Sequence, residues 1–324
     1  MMTINNAPWR KYFDVMHESV DYVEKRKNGE IKSIKTPWKQ FNSIGMNGIE
    51  WGKFYSIASR PGVGKSLITG ELTRNLLKLN PEEVFSVLNF QFEMLGIDLA
   101  AREFSAVSKK GLREILSAHD PDLPPLTDEF ITKLRNYAKR QVNRQEYIVD
   151  KAMTVSQMSD TIDKFYMAYR KPIIITLDHT LLIKKSASEK TRQETLENMS
   201  TAFIEKKNKL PISFIVLTQL NRTIDNADRQ KPGNLSNYPT PEDVYGSDFI
   251  MQSSDVVLAY NRPAKYHLAT YGPEKFIIEP TDKYLIACHR MKDRLGGKEG
   301  HIDWYEANYP TMSLLEREAP KRRS

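Results

Sequence analysis

Residues 59–66 read Ser-Arg-Pro-Gly-Val-Gly-Lys-Ser, directly after the strand-like run Phe54-Tyr55-Ser56-Ile57-Ala58. A proline and two glycines at the end of an apolar run, followed by a helix-forming segment, require a tight turn between a buried strand and a helix. Such a turn leaves several backbone N–H groups directed at one point on the positive end of the helix, and that point holds phosphates. Lys65 would reach the β- and γ-phosphates of a bound nucleoside triphosphate, and the Ser66 hydroxyl would hold Mg²⁺. The helix is expected from about Leu67 to Leu79, with Leu67, Leu72, Leu76 and Leu79 close to helical spacing. The cradle is therefore Ser59, Arg60, Pro61, Gly62, Val63, Gly64, Lys65, Ser66 and Leu67. Ser59 stands where the pattern G-x-x-x-x-G-K-[ST] has its first glycine, and a plain surface turn between strand and helix is the alternative reading.

With 324 residues the chain can form one large α/β domain with a small appendage. No apolar run reaches the length of a membrane span, and the start, Met1 to Trp9, has no basic region followed by an apolar stretch. The single cysteine, Cys288, cannot form an internal disulfide, lies in an apolar run and reads as a small core residue, which fits a reducing cytoplasm. The formal charge of +7 suits a nucleic-acid partner, although ordinary solvated lysines account for it equally well.

Residues 10–27 read as an isolated amphipathic helix with Tyr12, Met16, Val20 and Val23 in one stripe and Asn28-Gly29 as its stop. Too short to be stable alone, it needs a surface: its own domain or a neighbouring subunit. From about residue 35, candidate strands at 54–58, 84–90, 172–178, 212–219, 256–260 and 283–288 alternate with helices, one of them Thr191–Asn208. Continuous apolar strands separated by helices predict an α/β fold, a mostly parallel twisted sheet covered on both faces. Residues 300–306 and 311–315 predict antiparallel strands at the C-terminal end, and the charged segment 112–144 an insertion at the sheet edge. Expected boundaries are an N-terminal arm with its helix (1–34), the main domain (35–316) and a basic, disordered tail (317–324) containing Lys321-Arg322-Arg323.

In such a sheet, functional groups sit at the carboxyl ends of strands. Glu93, just beyond the second strand, is placed to accept a proton from the water that attacks the γ-phosphate; an acid placed to cap a helix is the alternative. Asp178 ends the apolar run from Ile173 and fits a carboxylate that supports Mg²⁺, against an ordinary turn aspartate. Gln219, ending another apolar strand, would sense the γ-phosphate; a solvated strand end is the alternative. Lys292 and Arg294, spaced i and i+2 before a glycine turn, would reach a neighbouring copy's nucleotide, or stand as a solvated basic hairpin.

These residues, in this order, resemble the ATPase domain of the DnaB-type replicative helicases, RecA-like hexameric motors, over nearly the whole chain from about Tyr12. Ala58 to Ser66 looks like the family's Arg-Pro-containing phosphate loop, and Glu93-Met94 matches its Glu-Met pair carrying the catalytic base. Asp178 matches the Asp-ending strand, with His179 where Tyr is usual. Arg192-Gln193-Glu194 and Thr218-Gln219-Leu220-Asn221-Arg222 look like the family's paired motifs, and Lys292-Asp293-Arg294 with Gly296-Gly297 its finger. The resemblance implies a RecA-like fold, ATP (or another NTP) with Mg²⁺, a homo-hexamer, and 5′→3′ movement on single-stranded or forked DNA. It implies a primase and a helicase loader as partners, no membrane, and a bacterial cytoplasm, whether host- or phage-encoded. The chain begins at the linker-like helix, so the family's amino-terminal primase-binding domain is expected to be missing. In the DNA-contacting loop, Tyr245-Gly246-Ser247-Asp248 replaces the family's Arg-Glu-Ser-Gly. There, backbone N–H groups of Tyr245, Gly246 and Ser247, with charge from Arg229 and Lys231, are the expected phosphate contacts. A filament-forming recombination ATPase and a non-motor ATP-binding DNA scaffold or loader ring would use the same sheet and loop.

Overall fold

The computed structural model describes residues 9–323, apart from 118, 232, 233 and 298 and the side chain of Ser247. Residues 1–8 of the segment read for a secretory signal, and Ser324 of the tail, lie outside the described residues. In chain order the elements are α1 (Tyr12–Lys27), the single turn α2 (Lys39–Asn42), β1 (Phe54–Ser59), α3 (Lys65–Leu79), β2 (Ser86–Gln91), α4 (Gly96–Ser108), α5 (Leu112–Ile115), α6 (Asp128–Arg140), β3 (Glu146–Val149), α7 (Val155–Tyr169), β4 (Ile173–Asp178), α8 (Arg192–Lys209), β5 (Ile212–Gln219), α9 (Ser247–Ser253), β6 (Val256–Asn261), β7 (Thr270–Tyr271), β8 (Phe276–Ile277), β9 (Leu285–Asp293), β10 (Ile302–Asn308) and β11 (Ser313–Arg317).

Nine strands form one sheet in the order β11-β10-β9-β6-β1-β5-β4-β2-β3. The run from β6 to β3 is parallel, and β9, β10 and β11 join it antiparallel, as the sequence pattern predicts. β1, β2, β4 and β6 are buried at every residue, so they read as unbroken apolar runs. Successive side chains still point to opposite faces. Tyr55 and Ile57 pack with Leu72 and Leu76 of α3, whereas Phe54 and Ala58 face α7 and α8, where Phe203 stacks on Phe214 at 4.2 Å. One strand thus feeds two cores.

β1 leads through α3 to β2, three places along the sheet, while β5 leads through α9 to β6 on the other side of β1. The winding reverses there, and the crevice beyond the carboxyl ends of β1 and β5 is where such sheets bind ligands.

The structure differs from the sequence reading in three places. β3, absent from the expected strands, follows the insertion and pairs in parallel with β2. Four half-exposed residues are too few to show a period. β9 continues past Cys288 to Asp293, because its outer half pairs with β6. The tail expected to be disordered is held: Ile277 N–H donates to Lys321 O at 2.8 Å, Arg323 N–H to Lys275 O at 3.0 Å, and Arg322 pairs with Glu274. Backbone pairing with β8 outweighs its basic composition. The helix α1 forms as expected, and it buries none of its residues in its own chain.

Candidate nucleotide site

The turn after β1 takes the shape its glycines permit. Gly62 has φ +78° and Gly64 φ +106°, values that L side chains rarely adopt. A Cβ at Gly64 would also stand 3.2 Å from the Tyr309 ring. Side-chain donors take the outward carbonyls: Lys265 bonds Pro61 O at 2.8 Å, Tyr309 Oη bonds Val63 O at 2.9 Å, and Arg262 reaches Gly62 O at 3.5 Å. Arg60 ties the loop to the far side of the crevice through Leu220 O (3.0 Å) and Asp225 (2.7 Å). The N–H groups of Gly62, Gly64, Lys65 and Ser66 have no backbone acceptor among the described residues, which is the condition for an anion cradle. Lys65 is buried beside them, its Nζ 3.3 Å from Ser59 O, and burial pulls its pKa down from the usual lysine value.

Ser66 Oγ donates to Asp178 Oδ2 at 3.0 Å across the base of the cradle. Asp178 is fully buried and its Oδ1 has no partner among the described residues. Burial pushes the carboxyl up to about 6, against the Ser66 bond, with the Glu93 charge adding to the rise. A buried carboxylate oxygen without a donor, next to a hydroxyl, fits a hard divalent cation with oxygen ligands.

Glu93 lies on the loop between β2 and α4, anchored by Phe92 N–H to Asp178 O at 2.8 Å. Its carboxylate is half-exposed and 3.8 Å from His179 Nε2. His179 Nδ1 accepts the Leu181 N–H at 3.2 Å, so the proton of the neutral ring sits on Nε2, facing Glu93. Burial holds this imidazole below its usual pKa. Lys65, Ser66, Glu93 and Gln219 line one cavity of about 380 Å³, with Tyr309 at its wall. Arg102 of α4 lines it too and is a residue the sequence reading missed. Its only signal was a cation on the helix after Glu93, which many surface helices share.

The finger residues are elsewhere. β9 runs antiparallel to β6, with Asp293 opposite Val256, so Lys292 and Arg294 lie at the amino end of the parallel strands. The phosphate loop is at the other end, roughly 20 Å away by strand length. Arg294 is exposed. Lys292 donates to the carbonyls of Met251 and, at 3.4 Å, Gln252, capping α9; partial burial pulls its pKa down, with Arg294 adding to the effect.

Two of the groups expected to contact DNA already have partners within the chain. Arg229 spends its guanidinium on Asp243 (2.6 and 2.8 Å) and on the carbonyls of Ser236 and Tyr238, so it offers no free charge. The Tyr245 N–H donates to Gln219 O at 2.8 Å and is equally committed. Gly246 has φ +67°, and a Cβ there would meet Leu196 at 2.6 Å, so this turn is packed onto α8. Ser247 begins α9, and Lys231 is exposed and, among the described residues, pairs with Asp228 at 2.6 Å.

Comparison with known proteins agrees with this geometry. Residues 33–298 match the family described as the DnaB-like helicase C terminal domain. The replicative DNA helicase DnaB of Helicobacter pylori (strain ATCC 700392 / 26695) is 24% identical over 264 residues, 80% of this chain and 50% of that protein. That of Buchnera aphidicola subsp. Schizaphis graminum is 22% identical over 258 residues, 78% of this chain and 52% of that protein. The chain spans about half the length of the curated relatives it matches. Among solved structures, one ATPase domain aligns with TM-score 0.74 at 18% identity, over 94% of this chain and 99% of that one. A DnaB-like replicative helicase, solved in a study of its interactions with primase, aligns with TM-score 0.74 at 18% identity over 92% of this chain and 67% of that one. The fold is that of the RecA-like DnaB ATPase domains. The chain belongs to the DnaB-like helicase C-terminal domain family.

Proposed function

We propose that this chain is the motor of a replicative DNA helicase: a hexameric ring that hydrolyses ATP at subunit interfaces and moves on single-stranded DNA, separating the duplex ahead of it. The observation that carries the reading is the Ser66–Asp178 pair, with its unpartnered carboxylate oxygen, at the base of a glycine cradle. Lys292 and Arg294, out of reach of their own cradle, supply the reason for a ring.

The loop N–H groups and Lys65 hold the phosphates, and Arg262, 5.4 Å over the Tyr309 ring at the cavity wall, offers a stacking surface for the base. Ser66 and Asp178 would hold Mg²⁺, which neutralises phosphate charge as the γ-phosphoryl departs. Glu93 takes a proton from the attacking water as the water oxygen bonds to the γ-phosphorus. The β–γ bridging P–O bond breaks, its electron pair stays on ADP, and Glu93 returns the proton to solvent. His179 faces Glu93 at 3.8 Å, near enough to donate its N–H to the carboxylate after a small shift, and as a neutral ring it does not compete for the proton. Arg294 of a neighbour adds charge to the same transition state.

Motion is linked to this chemistry through Gln219. Its side chain lines the nucleotide cavity while its carbonyl holds the Tyr245 N–H. A shift of Gln219 therefore pulls the turn that begins α9, and Lys292 grips the other end of the same helix.

The test is a fork-unwinding assay with ATP and Mg²⁺, run with either single-stranded tail removed. The wild type should unwind only when the 5′ tail is present, and Lys65→Ala should lose unwinding with at least a hundredfold loss of nucleotide affinity. Hydrolysis indifferent to DNA, with no strand separation, would leave a scaffold and end this reading.

A further inference from the structure

Behind α3, between it, α4 and the carboxyl halves of β2 and β3, lies a second cavity of about 250 Å³. It adjoins the nucleotide cavity, sharing Ser66, Leu67, Arg102 and Met312 with it as wall. Hydrolysis as described does not use this cavity, yet three independent features keep it open and polar.

The first is Gln91. It ends β2 in register with Asp178, is 4% exposed and lines the second cavity, and its Oε1 is buried with no hydrogen-bond partner among the described residues. Buried amide oxygens are almost always paired, so this one points to a donor that the described residues do not provide. The second is Arg102, which borders both cavities without an ion pair among the described residues. Deeper in, Arg144 bridges Glu103 and Glu146, and one carboxylate charge stays in excess there, so the end of the cavity that suits an anion is the Arg102 end. The third is Gly70, in the interior of α3. A Cβ there would meet nothing within 4 Å, and its φ is not positive. Glycine weakens a helix interior, and neither a close approach nor an unusual φ calls for it here. Gly70 lines the cavity, so a side chain longer than a methyl at this position would take up its space.

We propose that this cavity is a binding site for inorganic phosphate, which enters it from the nucleotide cavity after cleavage and leaves the protein through it. The inference rests on the nucleotide-site reading above. Orthophosphate near neutral pH carries both charged oxygens and at least one P–OH. Its anionic oxygens match the Arg102 donors, and its hydroxyl donates to Gln91 Oε1. Chloride or an ionised carboxylate supplies no such donor. The shared wall at Ser66 and Arg102 belongs to the nucleotide cavity that Glu93 also lines, the cavity in which free phosphate would be made.

The experiment is equilibrium dialysis of radiolabelled orthophosphate against the full chain, with ADP and Mg²⁺ present so that the phosphate loop is filled. ADP loading is measured in the same cells, so failure of the nucleotide reading shows as lost ADP binding rather than lost phosphate binding. The wild type should take up about one phosphate per chain. Gly70→Leu, which fills the cavity, and Gln91→Leu, which removes the acceptor, should each weaken phosphate at least tenfold and leave ADP affinity within about twofold. Gly70→Ala, which should only strengthen the helix, should keep phosphate affinity within about twofold. A second arm separates phosphate made in the site from phosphate taken up from solution. In a single turnover of γ-labelled ATP, release followed with a fluorescent phosphate reporter should lag at least tenfold behind cleavage in Gly70→Leu and not in Gly70→Ala. Equal phosphate affinity in the wild type, Gly70→Leu and Gln91→Leu overturns the site, and release that keeps pace with cleavage in Gly70→Leu overturns the route. Should Gly70→Leu not fold, Gln91→Leu decides both arms.

Discussion

Around the phosphate loop, the chain braces itself. Arg60, Lys265, Tyr309 and Arg262 each hold a loop or crevice group, and Ser66 bonds Asp178. At the other end of the sheet Arg294 is exposed, and α1 presents Tyr12, Met16, Val20 and Val23 between 54% and 76% exposed. The first region is finished within one polypeptide. The second consists of parts with no partner among the described residues: a charge far from its own cradle and a largely exposed apolar stripe. Such parts gain a purpose when a second copy is placed alongside, as α1 needs a docking surface and Arg294 a neighbour's phosphates. The contrast teaches where the energy of each half comes from. On the proposed ring reading, the cradle is stabilised by folding, and the finger and arm would be stabilised by assembly.

The largest effect expected from breaking this division is at Arg294. Arg294→Ala should lower kcat of the assembled ring by about 10³ or more while nucleotide affinity of an isolated subunit changes less than about twofold. Mixing it with Glu93→Ala subunits, each kind inactive alone, should restore part of the activity, because each supplies what the other lacks. Co-assembled rings with no restored turnover at any ratio would remove the finger from the neighbour's site.

Next comes the arm. Replacing Tyr12, Met16, Val20 and Val23 together by serine should raise the protein concentration needed for ring formation at least tenfold, read by analytical ultracentrifugation. Unfolding of the monomer should stay within about 0.5 kcal/mol, since these side chains are largely exposed among the described residues. A monomer destabilised by several kcal/mol would instead mean that α1 packs on its own domain.

How much of this was legible in the sequence follows the same division. The cradle was legible because few residue types survive at φ +78° and +106°, so chemistry and position are written in the same letters. The parallel sheet was legible because two-sided burial leaves continuous apolar runs. β3 was not, since its four residues are held by β2 rather than by a pattern of their own. Arg102 was invisible for a related reason: only the packing of α4 brings a common helix arginine to the wall of the nucleotide cavity. The engagements of Arg229 and Tyr245 were not legible, because a sequence shows charges and amides but not whether Asp243 and Gln219 already hold them.

The finished half can be tested by pH. Asp178 has its pKa raised from 3.8 to about 6 by burial, so between these values the folded protein binds more protons than the unfolded one. Stability then falls as pH rises from about 4 to about 6, and the full penalty remains above that. Asp178→Asn should therefore stabilise the metal-free protein by up to about 3 kcal/mol at pH 8 in denaturant titration, and the gain should vanish near pH 4. A gain that does not depend on pH would mean that the carboxylate is already satisfied without a cation.

The smallest effects separate two cations that look alike in sequence. Arg229 is committed to Asp243, which is itself buried, so Arg229→Ala should cost about 2 kcal/mol of stability by leaving that carboxylate unpaired. Its effect on DNA affinity should not vary with salt. Lys231 is exposed, and its partner among the described residues, Asp228, is an exposed carboxylate three residues away, an exchangeable contact. Lys231→Ala should leave stability within about 0.5 kcal/mol and reduce the slope of log affinity against log salt by about 0.7, the value for one phosphate contact on a single strand. The two substitutions thus exchange signatures. If Arg229→Ala lowers the salt slope and leaves the fold untouched, the guanidinium leaves Asp243 for a phosphate when DNA arrives, and the loop belongs with the unfinished half of the molecule.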